Sequence, residues 1–499
     1  MTAANTSESL QLLIPMVVTF LAPFLIWVFR RNQNNREAVS FVAAALAFLA
    51  MLSFIPGVLA GEVKTLTLFT LLPGIHVKLC VDGLTMIFGL IATFLWFFVT
   101  SYNIGYMRGL NEHAQTRYYF CFAIAIFGAV GVAMSANVFT LYLFYEVISV
   151  FTYPLVAHHQ DEEAFSGARK YFVYLMGTSK LFLLPAMVMT YVLCGTLDFN
   201  LTDAVHGMFP AHVVAENPIA VTVTYALYIA GLAKAALMPF HNWLPSAMVA
   251  PTPVSALLHA VAVVKAGVFS VSRVILSGFG VDVMDKLFLG IPTAYLAAFT
   301  IVAASLIAIT KDDIKARLAY STVSQLSYVV IGVAMLTPMA VQGGLMHIAH
   351  HAFSKITLFM AAGAIYVVTH TKKISMMGGY GRKMPWTYGA FAIASLSMIG
   401  VPPVCGFVSK WYMVNGAVEI NRTILLCALL ASTILNATYF APITYQAFFG
   451  KPHPEGNIEH VKEAHWTMVM PLCLTATISV ILGLYPKFFL SFVNVFGGF

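Results

Sequence analysis

Charged side chains are scarce in this chain of 499 residues. Asp, Glu, Lys and Arg together make up 9% of it, against roughly 25% in an average soluble domain. Hydrophobic residues account for 60%, and apolar runs of ~20 residues recur, each long enough to cross a hydrocarbon layer of about 30 Å as a helix. The strand alternation of a membrane barrel is missing. The composition therefore excludes a soluble protein and predicts an all-α polytopic membrane protein.

Motifs for common cofactors are also absent. The six cysteines are scattered, with no CxxC, which argues against an iron-sulfur cluster or a zinc site. No GxxxxGK[ST] loop and no GxGxxG after a strand is present, so neither ATP nor a nicotinamide is indicated. No basic region precedes the first apolar run, so we expect no cleaved signal peptide. We expect no bound cofactor or metal, and a driving force that comes from an ion gradient or a partner.

The apolar runs predict about fourteen transmembrane helices, with a Pro-Gly hairpin between the second and third. We divide the chain into an N-terminal part with spans one to three and the hairpin (1–116), two five-helix half-channels (117–274 and 288–448), and a C-terminal loop with span fourteen (449–499). The spans lie at about 10–29, 39–60, 83–103, 118–135, 137–157, 169–194, 218–239, 252–274, 288–309, 315–336, 341–369, 386–416, 423–448 and 466–495.

Basic residues are distributed unequally between the two sets of loops. Sixteen, among them Arg117 and Lys315, lie in the alternate loops that begin after span one. The other set holds six: Lys64, Lys78, Arg273, Lys286, Arg422 and Lys487. The positive-inside rule predicts that the first set is cytoplasmic and both termini are extracytoplasmic. We expect a multi-pass protein of a prokaryotic cell (inner) membrane.

Six lone charges fall inside the apolar spans. An ionisable group at membrane depth costs roughly 2.5–3.5 kcal/mol and usually serves a substrate or proton path. All the cations are Lys, whose pKa responds to burial so that it can load and release a proton, whereas Arg stays charged. The six are Glu146, Lys180, Lys234, Lys265, Lys355 and Lys410.

Four of the lysines are related by one offset. Lys180 and Lys355 lie 175 residues apart, and Lys234 and Lys410 lie 176 apart. An offset of five spans reverses the direction through the membrane, so the two half-channels are predicted to be inverted repeats.

Prolines and glycines predict broken helices in spans seven and twelve. Pro239 follows Lys234, and further prolines follow in the segment to 253, while Gly400, Pro402, Pro403 and Gly406 precede Lys410. Broken helices at membrane depth are tolerated where they line a wet cavity. We therefore expect both lysines to lie beside such a cavity; the alternative is that they snorkel or cap free carbonyls.

Glu146 needs a partner or a proton to be buried. In the functional interpretation it gates Lys234, and the pair loads and releases a proton. The alternative is a structural ion pair with one Lys. Lys180 is either such a partner or a cavity group, and the sequence leaves both open.

A polar stripe runs along span eleven. His347, His351 and Lys355 recur every four residues and share one face of the helix. A relay of protonatable groups with water is favoured, and His259 with Lys265 on span eight extends it. Two histidines at this spacing also suit a metal, but no third ligand is evident.

Five motifs in order carry a family resemblance: YEVIS, HNWLPSAMVAPTPVSALLHAVAVVKAG, RLAYSTVSQLSY, HIAHHAFSKITLFMAAG and GVPPVCGFVSKWY. They resemble the antiporter-like subunits shared by Mrp cation/proton antiporters, complex I and energy-converting hydrogenases, with the D-type Mrp subunit the best match. The resemblance implies fourteen helices with two inverted half-channels. It also implies proton transfer through Glu146, Lys234, Lys265 and Lys410.

These observations predict a proton-translocating subunit of an Mrp-type antiporter that exchanges a monovalent cation such as Na⁺. Its expected partners are other membrane subunits and the lipid bilayer, with no nucleic acid. The alternatives are a subunit of a redox-driven complex I-like or hydrogenase-like assembly, a subunit of a bicarbonate-uptake complex, or a scaffold. A quinone-reducing enzyme is disfavoured, because the chain has no recognisable redox centre.

Overall fold

The computed structural model describes residues 5–257, 261–453 and 458–497. Within these residues, eleven helices are long and apolar enough to cross a membrane. The other three predicted spans are span ten, which forms the helix Ile314–Ala334, and the interrupted spans seven and twelve. The chain is thus an all-α polytopic membrane protein, as its composition predicted.

The α-helices are numbered in chain order. They are α1 Leu13–Val28, α2 Gln33–Leu52, α3 Ile55–Leu59, α4 Gly83–Gly109, α5 Gln115–Ala133, α6 Val138–Val156, α7 Glu162–Thr178, α8 Leu184–Cys194, α9 Ala211–Glu216, α10 Pro218–Gly231, α11 Trp243–Ser246, α12 Thr252–Leu257, α13 Val263–Arg273, α14 Gly280–Lys286, α15 Gly290–Ile309, α16 Ile314–Ala334, α17 Pro338–Thr369, α18 Pro385–Ile399, α19 Cys405–Glu419, α20 Thr423–Phe449, α21 Trp466–Leu484 and α22 Lys487–Gly497. A π-helical segment, Ser179–Leu183, joins α7 to α8, and another, Val274–Phe279, joins α13 to α14.

A small sheet lies at the end of the bundle where α4 begins. Strands β2 (Glu62–Leu72) and β3 (Ile75–Val81) form the predicted antiparallel hairpin, with Leu72 opposite Ile75. Gly74 in the turn has φ +77°, a conformation that Gly adopts without a Cβ penalty. Strand β1 (Asn5–Glu8) pairs in parallel with the start of β2 and was not predicted.

Side-chain caps mark the start of several helices, and four of these caps share one geometry. The side-chain oxygens of Asp82, Asn137, Asp161 and Asp313 each accept from the backbone N–H three residues on, at 2.7–2.8 Å. Each cap satisfies one N–H that the first helical turn leaves unpaired. These polar residues therefore fix where α4, α6, α7 and α16 start.

Span seven is interrupted, and the break precedes Pro239. Helix α10 ends at Gly231, and a 3₁₀ turn, Ala233–Ala235, carries Lys234. The freed backbone groups find side-chain partners: Trp243 Nε1 donates to the Ala233 carbonyl at 3.0 Å, and Met238 N–H donates to Thr300 Oγ1 at 3.2 Å. Such replacement partners make a break tolerable inside a membrane protein.

Span twelve is interrupted between Ile399 and Cys405. Gly400 ends α18 with φ +93°, where a side chain would be strained. A Cβ on Gly406 would lie 1.9 Å from the Ser397 carbonyl oxygen, so only Gly allows α19 to approach α18 this closely.

Helix α17 occupies the centre of the bundle. It spans 32 residues, and it packs against α4, α12, α16, α18, α19 and α21. Its residues from Gly343 to Ile365 are all buried. Helices α1 and α20 lie at the periphery, with large apolar side chains such as Phe20, Trp27 and Ile434 exposed. Polar residues within this buried stretch of α17 are thus remote from the exposed surface of the chain.

The assignment of Arg273 to a loop was wrong. Arg273 ends α13, is fully buried, and forms a bidentate ion pair with Asp82, at 2.5 Å to Oδ2 and 2.9 Å to Oδ1. The paired charges and the hydrogen bonds around them satisfy each other away from water. The ion pair fixes the start of α4 to the end of α13.

Candidate functional site

Lys234 lies at the break in span seven and is fully buried. Its Nζ donates to the Tyr145 carbonyl at 2.8 Å and to Ser149 Oγ at 2.7 Å, and it lies 3.2 Å from the centre of the Tyr145 ring. Its own backbone N–H donates to the Tyr145 hydroxyl at 3.1 Å. Helix α6 therefore supplies every polar contact of this ammonium group that the described residues provide.

Glu146 forms an ion pair with Lys180, and no ion pair with Lys234 exists within the described residues. Lys180 Nζ lies 3.1 Å from Glu146 Oε2, and it donates to the Tyr142 hydroxyl at 2.6 Å. The carboxylate oxygens lack good hydrogen-bond geometry to any described residue, so the contact is chiefly electrostatic. The expected pairing of Glu146 with a lysine is present, but Lys180 is that lysine.

Lys180 lies at the surface of the chain. Its side chain is 46% exposed, whereas that of Glu146 is 14% exposed. It sits in the π-helical segment between α7 and α8. The ion pair therefore lies at the surface of the chain, at the junction of α7 and α8.

Lys265 contacts His351 across the centre of the bundle. Its Nζ lies 2.7 Å from His351 Nδ1, and both side chains are fully buried. Lys265 lies on α13 and His351 on α17. The two groups that sequence spacing placed in different half-channels are thus in direct contact.

His347 connects this pair to span twelve. Its ring lies 6.0 Å from that of His351, measured between centroids. Its Nδ1 lies 2.8 Å from Ser409 Oγ, and its Nε2 lies 3.0 Å from Gln325 Oε1. Both nitrogens of His347 are therefore engaged with neighbouring helices.

Lys410 ends the series at the second break. Its Nζ donates to the carbonyls of Met398 at 2.6 Å and Ile399 at 3.1 Å, which are the last two residues of α18. The ammonium thus caps a helix terminus, where a cation is favourable, which is the capping role weighed as an alternative. Gln325 Nε2 donates to the same Met398 carbonyl at 3.5 Å, so Gln325 links His347 to the acceptor of Lys410.

Lys355 lies to one side of the series that runs from Lys265 to Lys410. Its Nζ donates to Ser321 Oγ at 2.8 Å, and Ser321 accepts from the Tyr439 hydroxyl at 3.0 Å. His259 was also predicted to belong to the relay, but it lies outside the described residues.

Two polar groups in this region were not singled out by sequence reasoning. Gln325 lies inside the motif RLAYSTVSQLSY, but a neutral amide among serines gave no signal of its own. His350 is buried, with neither ring nitrogen bonded to a described residue. The Ser354 and Cys405 side chains donate to its carbonyl, in a cluster with Ser397 and Ser479.

A cavity of about 1050 Å³ opens at the end of the bundle that carries the sixteen basic residues, here called the basic side. Its lining includes Glu112, Lys170 and Lys315 from the loops and helix ends, and Tyr106 and Thr252 deeper in. Lys315 Nζ donates to the Ala250 carbonyl at 2.6 Å, next to the start of α12. We call this cavity the basic-side vestibule; near its rim, burial lowers the pKa of His158 below its ordinary value.

The bundle is polytopic, with two interrupted spans and a line of buried lysines and histidines. These features define a membrane protein that holds ionisable groups at membrane depth. The chain belongs to the family described as NADH:quinone oxidoreductase/Mrp antiporter, which it matches over residues 135–436. The predicted resemblance to this family is confirmed, and its finer placement as a D-type subunit stays a prediction.

Relatives with different names cover most of this chain. It is 30% identical to "NADH-quinone oxidoreductase subunit N" of Desulforudis audaxviator, with 96% of each chain covered. It is 28% identical to "Na(+)/H(+) antiporter subunit A1" of Staphylococcus haemolyticus over 95% of this chain, but it spans only 60% of that longer protein. The fold is similar to a chain in the structure of the Mrp complex from Dietzia sp. DQ12-45-1b, with a TM-score of 0.84, 20% identity, and 97% and 96% of the two chains covered.

Proposed function

We propose that this chain is the proton-translocating membrane subunit of a multi-subunit Mrp-type antiporter, which exchanges protons for a monovalent cation such as Na⁺. One observation carries the proposal: the buried series Lys265, His351, His347, Gln325 with Ser409, and Lys410 crosses from one half of the bundle to the other. Its partners are other membrane subunits, as the word "subunit" in the relatives' names suggests.

The first step is transfer of a proton from the Lys265 ammonium to His351 Nδ1, over 2.7 Å. This distance is within the hydrogen-bond reach that proton transfer requires. It leaves a neutral amine and an imidazolium, so the single positive charge moves from α13 to α17.

The second step needs a water molecule. His351 Nε2 is buried and has no hydrogen-bond partner among the described residues, and buried polar groups almost always have one. The His347 ring is 6.0 Å away between centroids, too far for direct transfer. A water between the two rings satisfies His351 Nε2 and passes the proton to His347.

The last step uses span twelve. His347 Nδ1 faces the Ser409 hydroxyl at 2.8 Å, and that hydroxyl also donates to the Gly406 carbonyl at 3.3 Å. A hydroxyl both donates and accepts, so Ser409 takes up the proton, and a second water carries it from Ser409 to Lys410. The Met398 and Ile399 carbonyls hold the Lys410 ammonium once it is charged.

Glu146, Lys180 and Lys234 form the opposite end of the path. Lys234 is adjacent to Tyr145 and Ser149, which flank Glu146 on α6. Movement of the Glu146 carboxylate between Lys180 and Lys234 changes the charge beside Lys234, which is how we expect the exposed pair to gate it. Lys355, with Ser321 and Tyr439, holds a further positive charge near His351, beside the path.

An experiment on membrane vesicles tests the antiport. The chain is co-expressed with the membrane proteins encoded beside it in a host that lacks its own antiporters. Everted vesicles are energised, Na⁺ or K⁺ is added, and collapse of the pH gradient is followed with a pH-sensitive dye. We expect cation-dependent collapse in the wild type and none with Lys410→Met.

The redox-driven alternative is favoured by the relative named NADH-quinone oxidoreductase subunit N, which this chain matches along nearly its full length. The same vesicles distinguish the two. Proton movement that needs an electron donor and ignores Na⁺ and K⁺ would support the redox assembly and reject the antiporter.

A further inference from the structure

A second cluster of ionisable side chains lies on the basic side, away from the central series. Glu112 and His113 come from the loop between α4 and α5, and His158 comes from the loop between α6 and α7. One ligand atom from each of the three lies within 4.8 Å of the others. Two loops separated by 45 residues of chain thus place two imidazoles and a carboxylate around one point.

His158 is the best-placed member of the cluster. Its side chain has 0% exposure, and neither ring nitrogen forms a hydrogen bond to a described residue. Its Nε2 lies 3.6 Å from Glu112 Oε2, and the His113 ring is tilted by 33° against its own ring, with 4.8 Å between the centroids. A buried imidazole without a hydrogen-bond partner calls for a ligand or a water.

The loop that carries His158 is held in place. Arg117 on α5 donates to the His158 carbonyl at 2.9 Å, and the Tyr118 ring packs edge-on against the imidazole at 5.7 Å. His159 contributes a further nitrogen, because its Nε2 lies 3.4 Å from Glu112 Oε1. Glu112 therefore lies between two histidines, and a third is in reach.

From this geometry we propose that Glu112, His113 and His158 bind a divalent transition-metal ion of the zinc class, with His159 or a water as fourth ligand. Imidazole nitrogens and one carboxylate are a ligand set that Zn²⁺ accepts, and Zn²⁺ favours four ligands in a tetrahedron. In a tetrahedral site with bonds of ~2.1 Å the ligand atoms are roughly 3.4 Å apart. The ligand atoms now lie within 4.8 Å of one another, so metal binding requires side-chain rotation that brings them closer, and His113 is the exposed member of the three.

The metal would alter the basic-side vestibule. Glu112 and His159 both line that cavity. A bound dication takes the Glu112 carboxylate out of the lining and adds positive charge at the rim, which repels an incoming proton carrier. If the proposed proton movement draws on this vestibule, Zn²⁺ inhibits it; this consequence alone depends on the proposed function.

Binding is tested on the purified full-length chain with Co²⁺, a coloured substitute for Zn²⁺. We expect one equivalent of Co²⁺ to give the intense visible bands of tetrahedral coordination and to be displaced by Zn²⁺. Loss of a residue that bonds a metal's ligand costs roughly 10–100-fold in metal affinity, and loss of the ligand itself costs more. Glu112→Gln and His113→Ala should therefore each weaken Co²⁺ binding at least about tenfold.

The choice of variants and the choice of control make this binding test decisive. Glu112→Gln preserves shape and His113 is exposed, so neither variant is expected to unfold the chain, and near-unchanged melting temperatures verify this. His76→Ala is the matched control, because His76 lies on strand β3 and bonds Thr70 at 3.0 Å. The proposal is overturned if Co²⁺ fails to bind the wild type tetrahedrally, or if the two variants bind it as the wild type does.

Vesicle assays then examine the consequence. We expect micromolar Zn²⁺ to slow proton movement by the wild-type complex and by His76→Ala, and to leave Glu112→Gln unaffected. If no proton movement is found at all, the proposed function is rejected. The metal site is then still tested independently by the Co²⁺ binding experiment.

Discussion

Lys265 on α13 and His351 on α17 form a buried contact, with 2.7 Å between Nζ and Nδ1, although 86 residues separate them. It joins the two five-helix units assigned as residues 117–274 and 288–448. Nearby, Gly267 lets the backbone of α13 approach Lys234 so closely that a Cβ would lie 2.3 Å from the Lys234 carbonyl carbon. Helix α13 thus lies between the break in span seven and the stripe on α17, and it is one physical link between the two halves.

Substitutions at this link should stop transport without harming the fold. Lys265→Met removes the proton donor, and His351→Ala removes its acceptor. A positioned proton-transfer group typically contributes 10²–10⁴-fold, so each single variant should lose at least ~100-fold in cation-dependent proton flux. The double variant should lose little more, because the two residues act in one step.

Stability should move in the opposite direction for Lys265→Met. Burying an ion costs several kcal/mol even after relaxation, and Met replaces the ammonium with an apolar end of similar length. We expect a higher melting temperature in detergent for this variant. A lower melting temperature together with lost flux would mean that Lys265 has a structural role.

Gln325 is predicted to matter although it carries no charge. Gln325→Leu removes the bond from His347 Nε2 and the bond to the Met398 carbonyl, which Lys410 shares. We expect flux to fall about tenfold or more, since a positioned partner of a transfer group is lost. Ser327→Ala is the matched control on the same helix, because among the described residues Ser327 Oγ bonds only the carbonyl of Val323, one turn earlier. Equal flux in the two variants would exclude a role for Gln325.

Much of the fold was predictable from local sequence. The prolines and glycines in spans seven and twelve predicted both breaks, because they lack a helix N–H or favour conformations outside the helix. Hydropathy predicted the spans, and the turn in the β2–β3 hairpin follows from Pro73 and Gly74. Periodicity also placed His347 and His351 on one face of α17.

Pairings between distant residues were not predictable. Arg273 was assigned to a loop because it lies at the end of an apolar run, and its pairing with Asp82 joins positions 191 residues apart. Lys180 was grouped with the buried lysines because its neighbours in sequence are apolar, yet its side chain is 46% exposed. In both cases burial depends on packing between helices, which hydropathy along one helix does not report.

The Glu146–Lys180 contact makes a prediction about gating. If Lys180 holds the carboxylate, Glu146→Gln and Lys180→Met should show strong coupling in a double-mutant cycle on proton flux. Glu146→Gln and Lys234→Met should also be coupled, because in the proposed gate the Glu146 carboxylate acts through the charge beside Lys234. Strong coupling of Glu146 with Lys234 and none with Lys180 would restore the pairing expected from sequence. Because Lys180 is half exposed, its ion pair adds little to stability, so Glu146→Gln and Lys180→Met should melt within a few degrees of the wild type.

The buried ion pair between Asp82 and Arg273 should dominate stability at its end of the bundle. Asp82→Asn keeps the helix cap, because Asn also accepts from the Thr85 N–H, but it leaves the Arg273 charge unpaired. Breaking a buried pair by removing one partner typically costs about 3–5 kcal/mol. Arg273→Met should cost a similar amount, because it leaves the Asp82 carboxylate buried without a partner. The double variant Asp82→Asn with Arg273→Met should recover most of the loss, because no unpaired charge remains.

Melting temperatures of the wild type, the two single variants and the double variant in one detergent measure this cycle. Asp203→Asn is the control, because the Asp203 carboxylate is 42% exposed and its loss should hardly shift the melting temperature. Additive losses in the double variant would mean that packing around the two side chains, and not their charges, holds α13 against α4.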